Sequence, residues 1–187
     1  STMQNPYVEA ARALGSGHLR ILLCHLLPNV MATIIILATI GLGTVILAEN
    51  GDYTWPLLFP MVKSAVRAMD AVQEFSEQYL DREVNGFVVS GASKRGWTTW
   101  LTAAIGDRRV KAIAPMVIDV LNMPVNLQYQ LDSYGTYSEQ IQDYVDLGIV
   151  QSMASPEGKA LVTMIDPFSY KSSLTVPKLI FLGTNDE

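Results

Sequence analysis

The sequence predicts an α/β fold: an incomplete parallel sheet carrying a helical cap insertion, with an apolar helical segment ahead of it. Three observations point that way. Short apolar runs at Phe87-Val88-Val89-Ser90, at 110–118 and at 179–182 are separated by stretches with helical periodicity. The first run passes straight into a glycine-bracketed serine turn, Gly91-Ala92-Ser93-Lys94-Arg95-Gly96, and then into another helical stretch, 97–105. Residues 21–48, by contrast, contain no Asp, Glu, Lys or Arg.

Of the 187 residues, 49% are hydrophobic and 17% charged, against roughly 25% charged in typical soluble domains. The deficit is concentrated in 21–48. A net charge of −5 and the lack of a long basic run argue against a nucleic-acid partner. Cys24 is the single cysteine, so no internal disulfide forms; it sits in an apolar helical pattern and reads as packing. No cofactor or metal is expected.

Residues 29–48 read NVMATIIILATIGLGTVILA, which meets the ~20 residues that a spanning helix needs. The run is too long for a signal peptide and lacks a clean cleavage site after it. Arg12 and Arg20 precede it, while Glu49 and Asp52 follow. The positive-inside tendency then places the N-terminus in the cytoplasm and residues 50–187 outside, an inner-membrane protein with a periplasmic domain. The alternative is a buried helix or two strands of a soluble core. Upstream, an Ala-rich helix is expected through Leu14, with Gly15 able to end it. The pattern Glu9-Ala10-Ala11, then Gly15, then His25-Leu26-Leu27-Pro28 resembles the EAA loop of ABC importer permeases of the peptide and nickel group. That resemblance covers 5–49. It implies that Glu9, Ala10, Ala11 and Gly15 dock a short helix into an ABC ATPase subunit. The chain is therefore read as two pieces, 1–49 and 50–187, joined at the turn signal Asn50-Gly51-Asp52.

In the second piece, Val62, Ala65, Val66, Met69, Val72, Phe75 and Tyr79 recur at helical spacing, with Lys63, Arg67, Asp70 and Glu74 between them. This predicts an amphipathic helix over 60–79. At the serine turn, Gly91 and Gly96 leave room for strand and helix to approach closely. Ser93 would sit at the helix N-terminus, whose unpaired N–H groups suit a developing oxyanion. The motif departs from G-x-S-x-G because its second Gly comes one residue later, and a serine in this place can instead simply cap the helix. Asp119 and Asp186 each follow a strand end, where open sheets place functional groups. Gly183-Thr184-Asn185-Asp186 makes the better acid loop, and Asp119 reads as structural. Residues 122–173 are rich in Tyr and Gln, with Tyr129, Tyr134, Tyr137 and Tyr144, and look like a helical cap over the site. Ordinary aromatic packing explains any single Tyr equally well.

Several strings carry a second resemblance: Tyr53-Thr54-Trp55-Pro56, Lys63-Ser64-Ala65-Val66-Arg67-Ala68-Met69-Asp70, Gly91 through Trp100, Ala114-Pro115-Met116-Val117-Ile118-Asp119 and Gly183-Thr184-Asn185-Asp186-Glu187. Through them residues 52–187 resemble the PhoPQ-activated pathogenicity-related protein family, which also includes autocrine proliferation repressors. The resemblance implies an exported α/β-hydrolase-like fold. It also implies Ser93 as nucleophile and Asp186 as acid, in serine-dependent hydrolysis of an ester or amide in a small-molecule or peptide substrate. Lys94 or Arg95 would stabilise negative charge on the substrate. In hydrolases of this fold the order is Ser, acid, His, yet the only histidines here are His18 and His25. The chain is accordingly expected to be inactive. The early strands of such a sheet are also missing, which predicts an unpaired edge and self-association. The rival readings are a fragment of an importer permease and a non-catalytic interaction module.

Overall fold

The computed structural model describes Gly17, Thr54 and residues 56–183. The EAA-like motif, the apolar run 29–48, Cys24, both histidines and Asp186 lie outside the described residues.

The amphipathic stripe forms helix α1, Leu58–Leu80. Val62 and Met69 on that stripe are buried, as is Leu58 ahead of it, whereas Val72, Phe75 and Tyr79 are exposed. Periodicity put these residues on one face, but only the first half of that face is covered. Asp81 ends the helix in the left-handed conformation, φ 49°, and the Arg82 N–H donates to the Ser76 carbonyl at 3.1 Å. Gln73 Nε2 then donates to the Val84 carbonyl at 2.7 Å, fixing the link to the sheet.

Strands β1 (Phe87–Ala92) and β2 (Val110–Met116) pair in parallel, joined by helix α2 (Lys94–Ala104). Parallel neighbours need such a crossover. The register slips between Phe87 and Val88, then runs from Val88 opposite Ala112 to Ala92 opposite Met116. Helix α2 covers one sheet face, where Trp97, Trp100 and Leu101 pack with Val110 and Ile113, flanked by Phe87 and Val89. Its buried threonines satisfy themselves: Thr98, Thr99 and Thr102 each donate to the carbonyl four residues back. Along β1 the alternate residues Val88, Ser90 and Ala92 stay exposed, Val88 by 68%. Among the described residues no strand pairs with the other edge of β1.

The third apolar run pairs with the other edge of β2. Ile113 N–H donates to Pro177, Leu179 N–H to Ile113, Phe181 N–H to Pro115 and Val117 N–H to Phe181, at 2.8–3.1 Å. The pairing is parallel, through bridges at Lys178 and Phe181. The architecture is thus α/β, with β2 in the middle. Between β2 and this run the chain is helical: α3 (Met123–Tyr134), α4 (Gln142–Asp146), α5 (Ile149–Ser152), α6 (Pro156–Ile165) and a 3-10 turn, Pro167–Tyr170. Tyr129 and Tyr134 are exposed rather than packed.

The expected inner-membrane location, with residues 50–187 outside, is not upheld. Among the described residues no helix is long and apolar enough to cross a membrane. The longest, α1, carries Lys63, Arg67, Asp70, Glu74 and Glu77 along its length.

At the end of the sheet away from the serine turn, Arg109 ties α1 to the start of β2. It donates to Asp70 at 2.6 Å, to Gln73 at 2.9 Å and to Asp107 at 2.7 Å. Hydrogen bonding to the Arg109 guanidinium holds the Asp70 and Asp107 carboxyls below their ordinary values. A depressed carboxylate contributes stability above its unfolded value and loses it as pH falls. Arg109→Gln should therefore lower the urea midpoint near pH 7 and flatten its decline below about pH 4, measured by urea titration across pH. The two core tryptophans give a second contrast. Trp97 Nε1 donates to the buried Ile165 carbonyl at 2.7 Å, whereas Trp100 Nε1 is buried with no partner among the described residues. Trp97→Phe should cost about 1–3 kcal/mol of unfolding free energy, and Trp100→Phe clearly less. Equal losses would mean that the Trp97 hydrogen bond contributes nothing.

Candidate active site

β1 ends at Ala92, and the chain reverses at Ser93 with φ 52° and ψ −125° before α2 begins. Positive φ in a residue with a side chain is uncommon and marks strain. The Ser93 N–H donates to the Met116 carbonyl at 3.0 Å, tying the turn to the end of β2. The Trp97 N–H donates to the Ser93 carbonyl at 3.0 Å and starts the helix. Ser93 occupies the N-cap position, yet its hydroxyl makes no capping hydrogen bond and the residue is exposed. Capping is therefore not what this serine does. The N–H groups of Lys94, Arg95 and Gly96 fall in the first turn of α2, where a helix offers them no internal acceptor. A negative charge forming beside Ser93 would meet these donors and the positive end of the helix dipole.

The two glycines have separate steric reasons. A Cβ on Gly91 would lie 2.7 Å from the carbonyl carbon and oxygen of Arg95. A Cβ on Gly96 would lie 2.5 Å from Cγ2 of Ile118 and 3.0 Å from the carbonyl oxygens of Gly91 and Met116. The backbone of the helix's first turn thus rests on both strand ends. Position 96 is the one where a side chain would meet the carbonyls of both strand ends at once, and it carries the second glycine.

Lys94 is half-buried, with its Nζ 5.7 Å from the centre of the Tyr144 ring. Burial pushes the Lys94 pKa down, with Asp143 working against it. Burial and the Asp143 charge push the Tyr144 phenol up to about 12. Helix α4 of the insertion therefore reaches the serine turn through Lys94. Arg95 is exposed.

β2 ends in a second strained turn. Val117 has φ 44°, an outlier for a β-branched residue, and Asn122 has φ 59°. Asp119 accepts from the Asn126 amide at 2.9 Å. Because Phe181 pairs in parallel with Met116, the third run also ends on the Ser93 side of the sheet. Asp186 lies beyond it, outside the described residues. No histidine occurs among the described residues, and no group of three His, Cys, Asp or Glu among them could hold a metal ion.

Sequence reasoning passed over Val117 and Asp166. Val117 carries no signal, since a β-branched residue argues for more strand. Asp166-Pro167 did carry one, an N-cap residue followed by proline at the first helical position.

A profile of the PhoPQ-activated pathogenicity-related protein family matches residues 42–187. The chain belongs to this family. Autocrine proliferation repressor protein A of Dictyostelium discoideum is 39% identical over 141 residues, which is 75% of this chain and 28% of that protein. The chain thus spans little more than a quarter of that family relative's length. No solved structure matches. The family match begins within the apolar run 29–48, ahead of the join expected at Glu49–Asn50. The comparisons bring no support to the importer-permease resemblance of 5–49.

The Gly96 contact can be checked by a double-mutant cycle. Gly96→Ala should destabilise by about 1–3 kcal/mol through overpacking. Combined with Ile118→Ala, which removes the methyl in its way, the loss in urea unfolding should be smaller than the sum of the two single losses.

Proposed function

We propose that this chain carries the nucleophile and oxyanion portion of a serine-hydrolase-type site, whose parent chemistry is acyl transfer to water from an ester or amide. The observation that carries the reading is the Ser93 turn: exposed, strained, with a hydroxyl that does not cap its helix. Strain held at a strand-to-helix turn is how such folds present a nucleophile. In this reading Ser93 Oγ attacks the carbonyl carbon and the Lys94 N–H, in the first turn of α2, helps receive the developing oxyanion. Lys94 and Arg95 attract an anionic group on a small-molecule or peptide substrate. Asp186 would orient a base, and family membership supports that assignment. A base within reach of Ser93 is needed for rapid turnover, and His18 and His25 both precede the family match.

The expected behaviour is slow, serine-specific reactivity. A site lacking one triad member retains about 10³–10⁴-fold acceleration over water from its oxyanion donors and binding. A fluorophosphonate probe should modify Ser93 and no other serine, identified by peptide mass spectrometry, and Ser93→Ala should abolish the adduct. Turnover of a simple ester should remain low. Rapid Ser93-dependent ester turnover would show that a base is present. A Ser93 inert to the probe in a stably folded chain would favour the second reading, a non-catalytic interaction module. The name of the Dictyostelium relative, a proliferation repressor, is what favours that alternative.

A further inference from the structure

The helical insertion leaves the sheet after β2 and returns before Lys178. Its two ends meet at a residue that the hydrolase reading leaves unused. Asp166 is only 3% exposed. Its Oδ1 accepts from the Phe168 N–H at 2.8 Å and the Asn122 N–H at 3.2 Å, and its Oδ2 from the Met123 N–H at 2.9 Å. Burying a carboxylate is unfavourable unless its lone pairs are filled, and three backbone donors fill them here.

The identity of those donors gives the contact its meaning. Asn122 and Met123 open α3, at the start of the insertion, and Phe168 lies in the 3-10 turn at its end. One carboxylate therefore caps two helical segments at once, across 44 residues of sequence. Beside it, the Ile165 carbonyl accepts the Trp97 indole N–H at 2.7 Å. The backbone N–H of that same Trp97 closes on the Ser93 carbonyl. A chain of hydrogen bonds, linked covalently through the Ile165–Asp166 backbone and through Trp97, thus runs from both roots of the insertion to the first turn of the helix that Ser93 begins.

We propose that Asp166 is a positioning residue that registers the insertion against the Ser93 helix, by fixing the Ile165 carbonyl under the Trp97 indole. It touches neither Ser93 nor anything bound there. Its influence on the site passes through Trp97, and its importance for catalysis rests on the hydrolase reading above.

The test uses the full chain and Asp166→Asn, which keeps the side-chain volume but turns a donor toward backbone donors. The first readout is the Trp97 indole N–H resonance in ¹⁵N spectra, assigned with Trp97→Phe. The second is residue-resolved amide exchange. The expected result is a shifted, faster-exchanging Trp97 indole, with exchange at Asn122, Met123 and Phe168 raised at least about tenfold. Val89 and Ile113 in the sheet should stay protected, and Asp166→Glu, which restores the carboxylate, should recover part of the indole shift. An unmoved Trp97 signal would overturn the proposal. So would exchange rising evenly through the sheet and the insertion, the mark of a merely structural residue. Should Asp166→Asn not fold, Trp97→Phe cuts the same chain from the other end; unchanged exchange at Asn122 and Met123 in that variant would likewise overturn it. Fluorophosphonate labelling separates the two readings. No adduct in the unmutated chain counts against the Ser93 assignment alone, whereas the spectroscopic results decide the role of Asp166.

Discussion

The backbone of Gly96 rests against the ends of two strands at once, and the arrangement at that end of the sheet depends on this contact. Glycine inside a helix costs about 1 kcal/mol relative to alanine. Here it lets α2 descend until only hydrogen atoms separate its first turn from the carbonyls of Gly91 and Met116. With α2 that low, the link from β1 has a single residue in which to reverse, and Ser93 takes up the strain. Conformations of this kind persist only when the surroundings over-determine them. The surroundings in this case are the Ser93–Met116 hydrogen bond, the Trp97 indole bond and the self-satisfied threonines on the buried side of α2.

The two ends of the sheet have separate duties. At one end the Arg109 cluster joins α1, the α2–β2 link and β2 through charge. At the other, strained turns follow both strands, and a lysine is held partly out of water. Parallel sheets concentrate chemistry at the carboxyl ends of their strands. Such a division lets the stabilising charges lie far from any charge that forms beside Ser93.

Much of this was legible in the residues because the signals were local. The Gly91–Gly96 bracket announced the turn, and the apolar runs located both strands to within two residues at each end. The stripe on α1 was read correctly as one face. Its second half is bare because periodicity reports which residues share a face and says nothing about what covers it. Tyr129 and Tyr134, for which a cap over the site and ordinary packing both stood open, are exposed. The membrane expectation rested on the length of the apolar run 29–48 and the charges flanking it, and that run lies outside the described residues. Asp166 was illegible as a clamp because two of its three donors lie 43 and 44 residues away. The capping signature Asp-Pro could have placed the start of a helix there, but not the second helix that the same carboxylate serves.

The clamp at Asp166 also bears on how such a domain can diversify. Because both roots of the insertion are fastened at one point, closure of the loop does not by itself depend on how long it is. The entropy of closing a loop grows slowly, by about 0.6 kcal/mol for each doubling of length. Turns within α3, which buries no residue, can therefore be added, lost or exchanged across evolution at smaller thermodynamic cost to the Ser93 turn than those of α6, whose Leu161 and Ile165 belong to the core. The outer part of the insertion is thus freer to drift than the Ser93 turn to which its roots are fastened.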